Sequence, residues 1–159
     1  MKLNIGCGTD IKEGYINIDI EDYKGVNIKH DLNKFPYPFA DNTIEEVYME
    51  HILEHLDNQQ KVIEEVYRIL KPKCKFTLIY PFWNSIMTAG FGHKFVYSQF
   101  FINYFIKPKY RTKEVRREYS NVQFKLIEER YVPYNSRFFR RLSNYITSIT
   151  KEIKWELIK

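Results

Sequence analysis

The sequence predicts one α/β domain over residues 1–159, built on a mainly parallel sheet. Short apolar runs alternate with loops, one clearly amphipathic helix lies near the middle, and no repeat, low-complexity tract or Gly/Ser linker breaks the chain. Strands separated by loop or helical crossovers imply parallel pairing. A length of 159 residues suits a single hydrophobic core.

Taken in order, Leu3-Asn4-Ile5 reads as a short buried strand ended by Gly6-Cys7-Gly8. Tyr15 to Ile20 alternates and reads as a second strand after the turn at Gly14, and Val26 to His30 as a third, closed by Asp31. The prolines of Phe35-Pro36-Tyr37-Pro38-Phe39 remove backbone donors and fix φ, which excludes regular structure. Glu46 to Met49 forms the fourth strand. Asn58 to Lys71 places Val62, Ile63, Val66, Ile69 and Leu70 at helical spacing, with Pro72 as the stop. Lys75 to Tyr80 is the fifth strand, ended by Pro81. Ser98 caps a helix expected through Phe105. Phe124 to Val132 is the sixth strand, Phe138 to Ile149 a helix and Ile153 to Ile158 the last strand. One connection resists the scheme. Only six residues separate Gly8 from Tyr15, whereas a parallel crossover normally needs about a dozen. The first crossover helix is therefore trimmed to about a turn, or the first two strands do not pair.

Gly6-Cys7-Gly8 is the first candidate site. Glycines just past a buried strand let the backbone turn sharply and let a ligand come close. Asp19 ends the second strand, where a carboxylate suits the paired donors of a ribose. Asp31 ends the third, where it can accept from an exocyclic amine. Ligands of such sheets sit outside the carboxyl ends of the strands, where all three features fall. No GxxxxGK[ST] motif is present and the loop lacks a third nearby glycine, so a phosphate cradle is disfavoured.

His51-Ile52-Leu53-Glu54-His55 matches a zinc-hydrolase pattern, HxxEH. That chemistry needs an uninterrupted helix and a later carboxylate ligand, whereas these residues come directly after a strand, and no metal site is expected. Cys7 between two glycines reads as chosen for size rather than as a nucleophile. His93 follows Gly90 and Gly92, and an imidazole there can accept a proton from a hydroxyl or amine, which makes it the candidate catalytic residue.

As an ordered set these segments resemble the class I S-adenosylmethionine (SAM)-dependent methyltransferases, particularly their small, minimal branch. Leu3 to Gly8 resembles the family's glycine loop, and Gly14 to Ile20 its second strand with the ribose-binding acid at Asp19. His30-Asp31-Leu32 with Phe35 to Phe39 and Asp41-Asn42 resembles the adenine-contacting segment. Val47 to Leu56 is similar to the fourth strand and the start of the helix after it. Glu64 to Pro72 is similar to the helix before the fifth strand, and His93 with Tyr97-Ser98 to a substrate-side segment. The likeness runs from Leu3 to Ser98. It departs at Asn4 (often acidic), at Asp10 (often glycine) and at Lys73-Cys74 (usually two glycines). It implies a Rossmann-like three-layer sandwich with SAM as cofactor. The binding set it implies is Gly6, Cys7, Gly8, Asp19, Ile20, Asp31, Leu32, Met49, Glu50 and His51, with His55 and Glu54 packing or capping a helix.

Charge divides the chain. Residues 1–83 hold 10 Lys/Arg against 14 Asp/Glu, a balance of −4, and residues 84–159 hold 15 against 6, a balance of +9. The first part reads as the SAM-binding half. The second, aromatic and basic, reads as a substrate and lid half with a C-terminal helix and last strand. The acceptor expected is a small molecule or glycan, anionic in character. An RNA methyltransferase and a non-catalytic SAM-fold scaffold subunit are the alternatives. Two cysteines form no disulfide framework or CxxC pair, which points to a reducing, cytoplasmic setting. No apolar run approaches the roughly 20 residues of a membrane span.

Overall fold

The structure is a computed structural model, and it describes residues 1–98, 100–111, 120–133 and 150–159. Its strands are β1 (Lys2–Ile5), β2 (Ile16–Asp19), β3 (Ile28–Lys29), β4 (Ile44–Glu50), β5 (Leu70–Pro81), β6 (Lys125–Pro133) and β7 (Thr150–Ile158), with one α-helix, α1 (Gln59–Ile69), among the described residues. The strands form one sheet in the order β3-β2-β1-β4-β5-β7-β6. Pairing is parallel from β3 to β5, and β7 lies antiparallel between β5 and β6. The fold is the mainly parallel, Rossmann-like α/β arrangement expected. The helix expected over 138–149 lies outside the described residues. No described helix is long and apolar enough to cross a membrane.

The helix α1 starts where its cap predicts, with Asn58 Oδ1 accepting from the Lys61 amide at 3.0 Å. Val62, Ile63, Val66 and Ile69 are fully buried, the single apolar stripe that ties the helix to the sheet. Its end differs from the expectation at Lys71. The chain is already extended at Leu70, which pairs with Ile44. Lys71 precedes a proline and is biased out of the helical region, so the sheet takes the chain two residues earlier. Lys73 then adopts φ 66°, and its amide donates to the Lys159 carbonyl at 3.0 Å. A left-handed residue is what a glycine would supply here. Lys73→Gly is expected to stabilise the fold by about 0.5–1 kcal/mol, read from urea unfolding; a loss of stability would show that the lysine stem matters more than its backbone.

The short first crossover holds without a helix. β1 and β2 pair directly, Leu3 against Ile16 and Ile5 against Ile18. Two buried asparagines bond the loop between them to the sheet. Asn4 Nδ2 donates to the Asp10 carbonyl at 2.7 Å and to Asn17 Oδ1 at 2.9 Å, while Asn17 Oδ1 also accepts from the Lys12 amide at 2.9 Å. Side-chain amides thus satisfy loop backbone that a helix would otherwise satisfy internally.

The helix expected from Ser98 to Phe105 is replaced by a 3-10 turn at Phe101–Tyr104. Ser98 Oγ accepts from the Phe100 amide at 3.2 Å, as a cap would. The aromatic run behind it has poor helix propensity and packs instead, with Phe101 against Tyr97 and Tyr80. The Phe105 carbonyl accepts from the Phe124 amide at 2.8 Å, which stitches this segment to the start of β6.

Candidate functional site

The sheet order reverses between β1 and β4, since β1 leads outward to β2 and β3 while β4 leads the other way to β5. A crevice opens at the carboxyl ends of strands flanking such a switch point. Gly6 leaves β1 at φ 68°, and the amides of Gly6 and Cys7 both donate to the Ile18 carbonyl, at 2.8 and 3.0 Å. A Cβ on Gly6 would press into Ile52, 2.7 Å from its Cβ. Glycine is therefore required here twice over, by conformation and by space.

Asp19 meets this loop directly. Its Oδ2 accepts from the Gly8 amide at 2.7 Å and its Oδ1 from the Glu21 amide at 3.0 Å. Each oxygen retains a second lone pair. Asp19 also lines a cavity of about 190 Å³ with Gly6, Ile20, Asp31, Leu32, Asn33, Ile52, His55 and Leu56. A second cavity of about 310 Å³ is walled by Asn4, Gly6, Cys7, Asp10, Glu50 and His51. Gly6 is common to both. Most residues of the expected binding set thus line one or the other of two cavities that share Gly6, together of a size ordinary for small-molecule sites of about 300–1,000 Å³.

The wall at Asp31-Leu32 is held from behind. Asp31 Oδ1 accepts from the Asn33 amide at 3.0 Å, and the Tyr37 hydroxyl donates to the Leu32 carbonyl at 3.1 Å. Arg68 donates to the carbonyls of Phe39 and Tyr37 at 2.9 and 3.1 Å, to Asp41 at 2.7 Å and twice to Glu65. Glu65 in turn accepts from the Tyr37 amide at 2.8 Å. The irregular proline segment is fastened to α1 by one guanidinium.

Met49 stands apart from the rest of the expected set. It is fully buried in the core and lines neither cavity, because its place in β4 directs it opposite to Tyr48 and Glu50. Glu50 and His51 do face the crevice. The Tyr48 hydroxyl donates to Glu50 at 2.5 Å. His51 takes φ 50° and brings Nε2 to 2.6 Å from Glu152 on β7. Burial lowers the basicity of this imidazole, but the hydrogen bond to Glu152 and the nearby Glu54 carboxylate outweigh it and raise its pKa to about 9. His51 is thus an imidazolium at neutral pH and a poor proton acceptor. Glu152, 101 residues away, carries no local sequence signal linking it to His51.

The remaining candidates separate. The Cys7 thiol is pushed up by burial and by Asp19, which opposes nucleophilic use and agrees with a residue chosen for size. His55 lines the smaller cavity instead of packing a helix, for Leu53–His55 is a 3-10 turn. His93 lines neither cavity. Its Nε2 faces Glu54 Oε1 at 4.0 Å, and its ring lies edge-on to His55 with centroids 4.6 Å apart. The nearest polar neighbours of His93 are thus Glu54 and His55. Ile52, Asn33, Asp10 and Leu56 complete the lining and were not singled out as binding residues by the sequence.

Comparison with known proteins agrees with this geometry. Residues 3–78 match the methyltransferase-domain family. A 42-residue stretch, 26% of this chain, is 50% identical to the ubiquinone/menaquinone biosynthesis C-methyltransferase UbiE of Desulfotalea psychrophila, and spans only 16% of that protein. The fold is shared with a SAM-dependent methyltransferase from Archaeoglobus fulgidus (TM-score 0.64, 16% identity, 99% of this chain and 85% of that one). It is shared equally with the [4+2]-cyclase SpnF (TM-score 0.62, 12% identity, 99% and 73%). The chain has the Rossmann-like fold of class I SAM-dependent methyltransferases, and SAM is the cofactor expected of that fold.

Proposed function

We propose that this chain binds S-adenosylmethionine along the crevice at the ends of β1, β2 and β4 and passes its methyl group to a small-molecule or glycan acceptor. The observation that carries this reading is the junction of Gly6, Gly8 and Asp19 at the sheet's switch point, with a cavity on either side of Gly6. The residues present fit the cofactor. The free lone pairs of Asp19 suit ribose hydroxyls, and Ile20, Leu32, Ile52 and Leu56 offer apolar walls for a base, with Asp31 at their edge. Asp10 and Glu50 line the other cavity, where carboxylates complement a cationic amino-acid end. Bound there, SAM supplies a methyl group that already carries its leaving group.

The protein's share is then to hold the acceptor in line and exclude water, which can be worth roughly 7–11 kcal/mol in the best cases. Glu50, which lines the larger cavity, can take a proton from the acceptor. The free cysteines Cys7 and Cys74 fit a reducing, cytoplasmic setting. The basic stretch from Lys107 to Arg141, expected to meet an anionic acceptor, lies partly outside the described residues.

A thermal shift with S-adenosylhomocysteine tests the pocket. The wild type is expected to gain several degrees at saturating ligand, and Asp19→Ala, checked for folding by circular dichroism, is expected to lose the gain. An undiminished shift in the variant refutes the ribose assignment. The shared fold of SpnF favours one further reading, a SAM-fold protein that does not transfer methyl groups, since a fold hosts many functions. Binding without turnover across an acceptor panel supports that reading.

A further inference from the structure

Glu54 is 1% exposed, and among the described residues neither of its carboxylate oxygens has a hydrogen-bond partner. Oε1 has His51 Nδ1 as an ion-pair partner at 3.5 Å, while Oε2 has none among the described residues, and a buried carboxylate oxygen left this way calls for a further partner. Imidazoles surround it. His93 Nε2 lies 4.0 Å and His51 Nδ1 3.5 Å from Glu54 Oε1. One ligand atom each from Glu54, His55 and His93 falls within 4.8 Å of the others.

The His55 ring is arranged for this. His55 Nδ1 lies 3.1 Å from the Gly92 carbonyl, which makes that nitrogen the N–H donor and leaves Nε2 with a free lone pair. Metal-ligating histidines are oriented in this manner by a carbonyl or carboxylate on the other nitrogen. His51 is held by Glu152 at 2.6 Å through Nε2, which keeps it outside the set.

We propose that Glu54, His55 and His93 bind a divalent transition metal of the zinc class, with an open fourth position. Two imidazoles and one carboxylate suit such an ion. Bond lengths of about 2.0–2.2 Å require the three groups to draw together by about an ångström. The site differs from the HxxEH arrangement considered from sequence. The segment is a 3-10 turn, so His51 leaves the set and the third ligand comes from 38 residues beyond His55. The ion clasps two segments already in contact. The Lys94 amide donates to the Glu54 carbonyl at 2.8 Å, and the Tyr97 hydroxyl to the Leu53 carbonyl at 3.2 Å. Since His55 also walls the smaller cavity, the clasp fastens the 90–97 loop to the rim of the crevice. This goes beyond the proposed methyl transfer and does not depend on it.

The test uses untagged, metal-stripped protein titrated with Co²⁺ alone and followed by visible absorption. The expected result is saturable d–d bands at one ion per chain, displaced by Zn²⁺. Glu54→Gln and His93→Ala should each abolish the bands, while His30→Ala, remote from the cluster, leaves them intact. His93→Ala removes only a loop side chain and decides the matter should Glu54→Gln fail to fold. Absence of saturable bands in the wild type, or bands that survive His93→Ala, overturns the proposal. Because the readout contains no cofactor, failure here leaves the homocysteine thermal shift unaffected, and the converse holds.

Discussion

Gly6→Ala is expected to destabilise the fold by about 2–4 kcal/mol and to remove measurable S-adenosylhomocysteine binding. Two independent penalties combine. Residue 6 sits at φ 68°, where a side chain costs about 1–2 kcal/mol. The added methyl would stand 2.7 Å from Ile52 Cβ and closer still to its Cγ1, and overpacking of this kind costs about 1–3 kcal/mol. Ile52 cannot rotate the contact away, since its Cβ is part of it. The methyl also enters the point shared by both cavities, so binding suffers beyond what stability alone predicts. Urea unfolding and calorimetric titration measure the two effects. Adding Ile52→Ala should recover the share of the packing penalty owed to Cγ1 and Cδ1 and leave the Cβ contact and the conformational part. A Gly6→Ala protein within about 0.5 kcal/mol of wild type, a margin ordinary for neutral surface changes, would falsify this close packing of loop and Ile52.

Arg68→Ala is expected to lower stability by about 2–4 kcal/mol. Five guanidinium contacts are in use, and the change takes the guanidinium from the Phe39 carbonyl and the Glu65 carboxylate, while the Tyr37 carbonyl keeps the Phe39 amide and Glu65 the Tyr37 amide. The side chain is 26% exposed, so water relieves part of the loss and keeps the figure below that of a fully buried pair. Arg68→Lys should rescue little, because an ammonium cannot reach both carbonyls and a carboxylate in a planar fork. The ligand consequence is milder. The proline segment supports the crevice wall indirectly, through the Tyr37 hydroxyl on the Leu32 carbonyl, so affinity should fall a few-fold where Gly6→Ala removes it. Chemical denaturation of the three proteins, with titrations on the same samples, settles both points. Equal stability of the alanine variant and wild type would show the clamp to be ornamental.

Much of this architecture is legible in the sequence because its signals are local. The strand at Leu3-Asn4-Ile5, the turn at Gly6-Cys7-Gly8, the acid ending β2 and the stripe Val62, Ile63, Val66 and Ile69 on α1 each arise from side-chain period and backbone freedom within a few residues. Those features also locate the crevice, since ligands collect where such strands end. Where two local preferences compete, sequence pattern misleads. Pro72 and the apolar period extend the helix to Lys71, while pairing of Leu70 with Ile44 ends it sooner. Ser98 announces a helix that the aromatic residues behind it do not sustain.

What the chain alone determined, then, is the parallel core, the glycine bend and the carboxylate beside it. The tertiary structure decided which polar groups meet across the sheet: Asn4 with Asn17 in place of a crossover helix, His51 with Glu152, and Glu54 with His93. Periodicity reports which face a residue occupies, but not which distant residue shares that face. Partners such as His51 and Glu152, 101 positions apart, become neighbours only when β7 inserts between β5 and β6, a choice made by packing of the whole sheet.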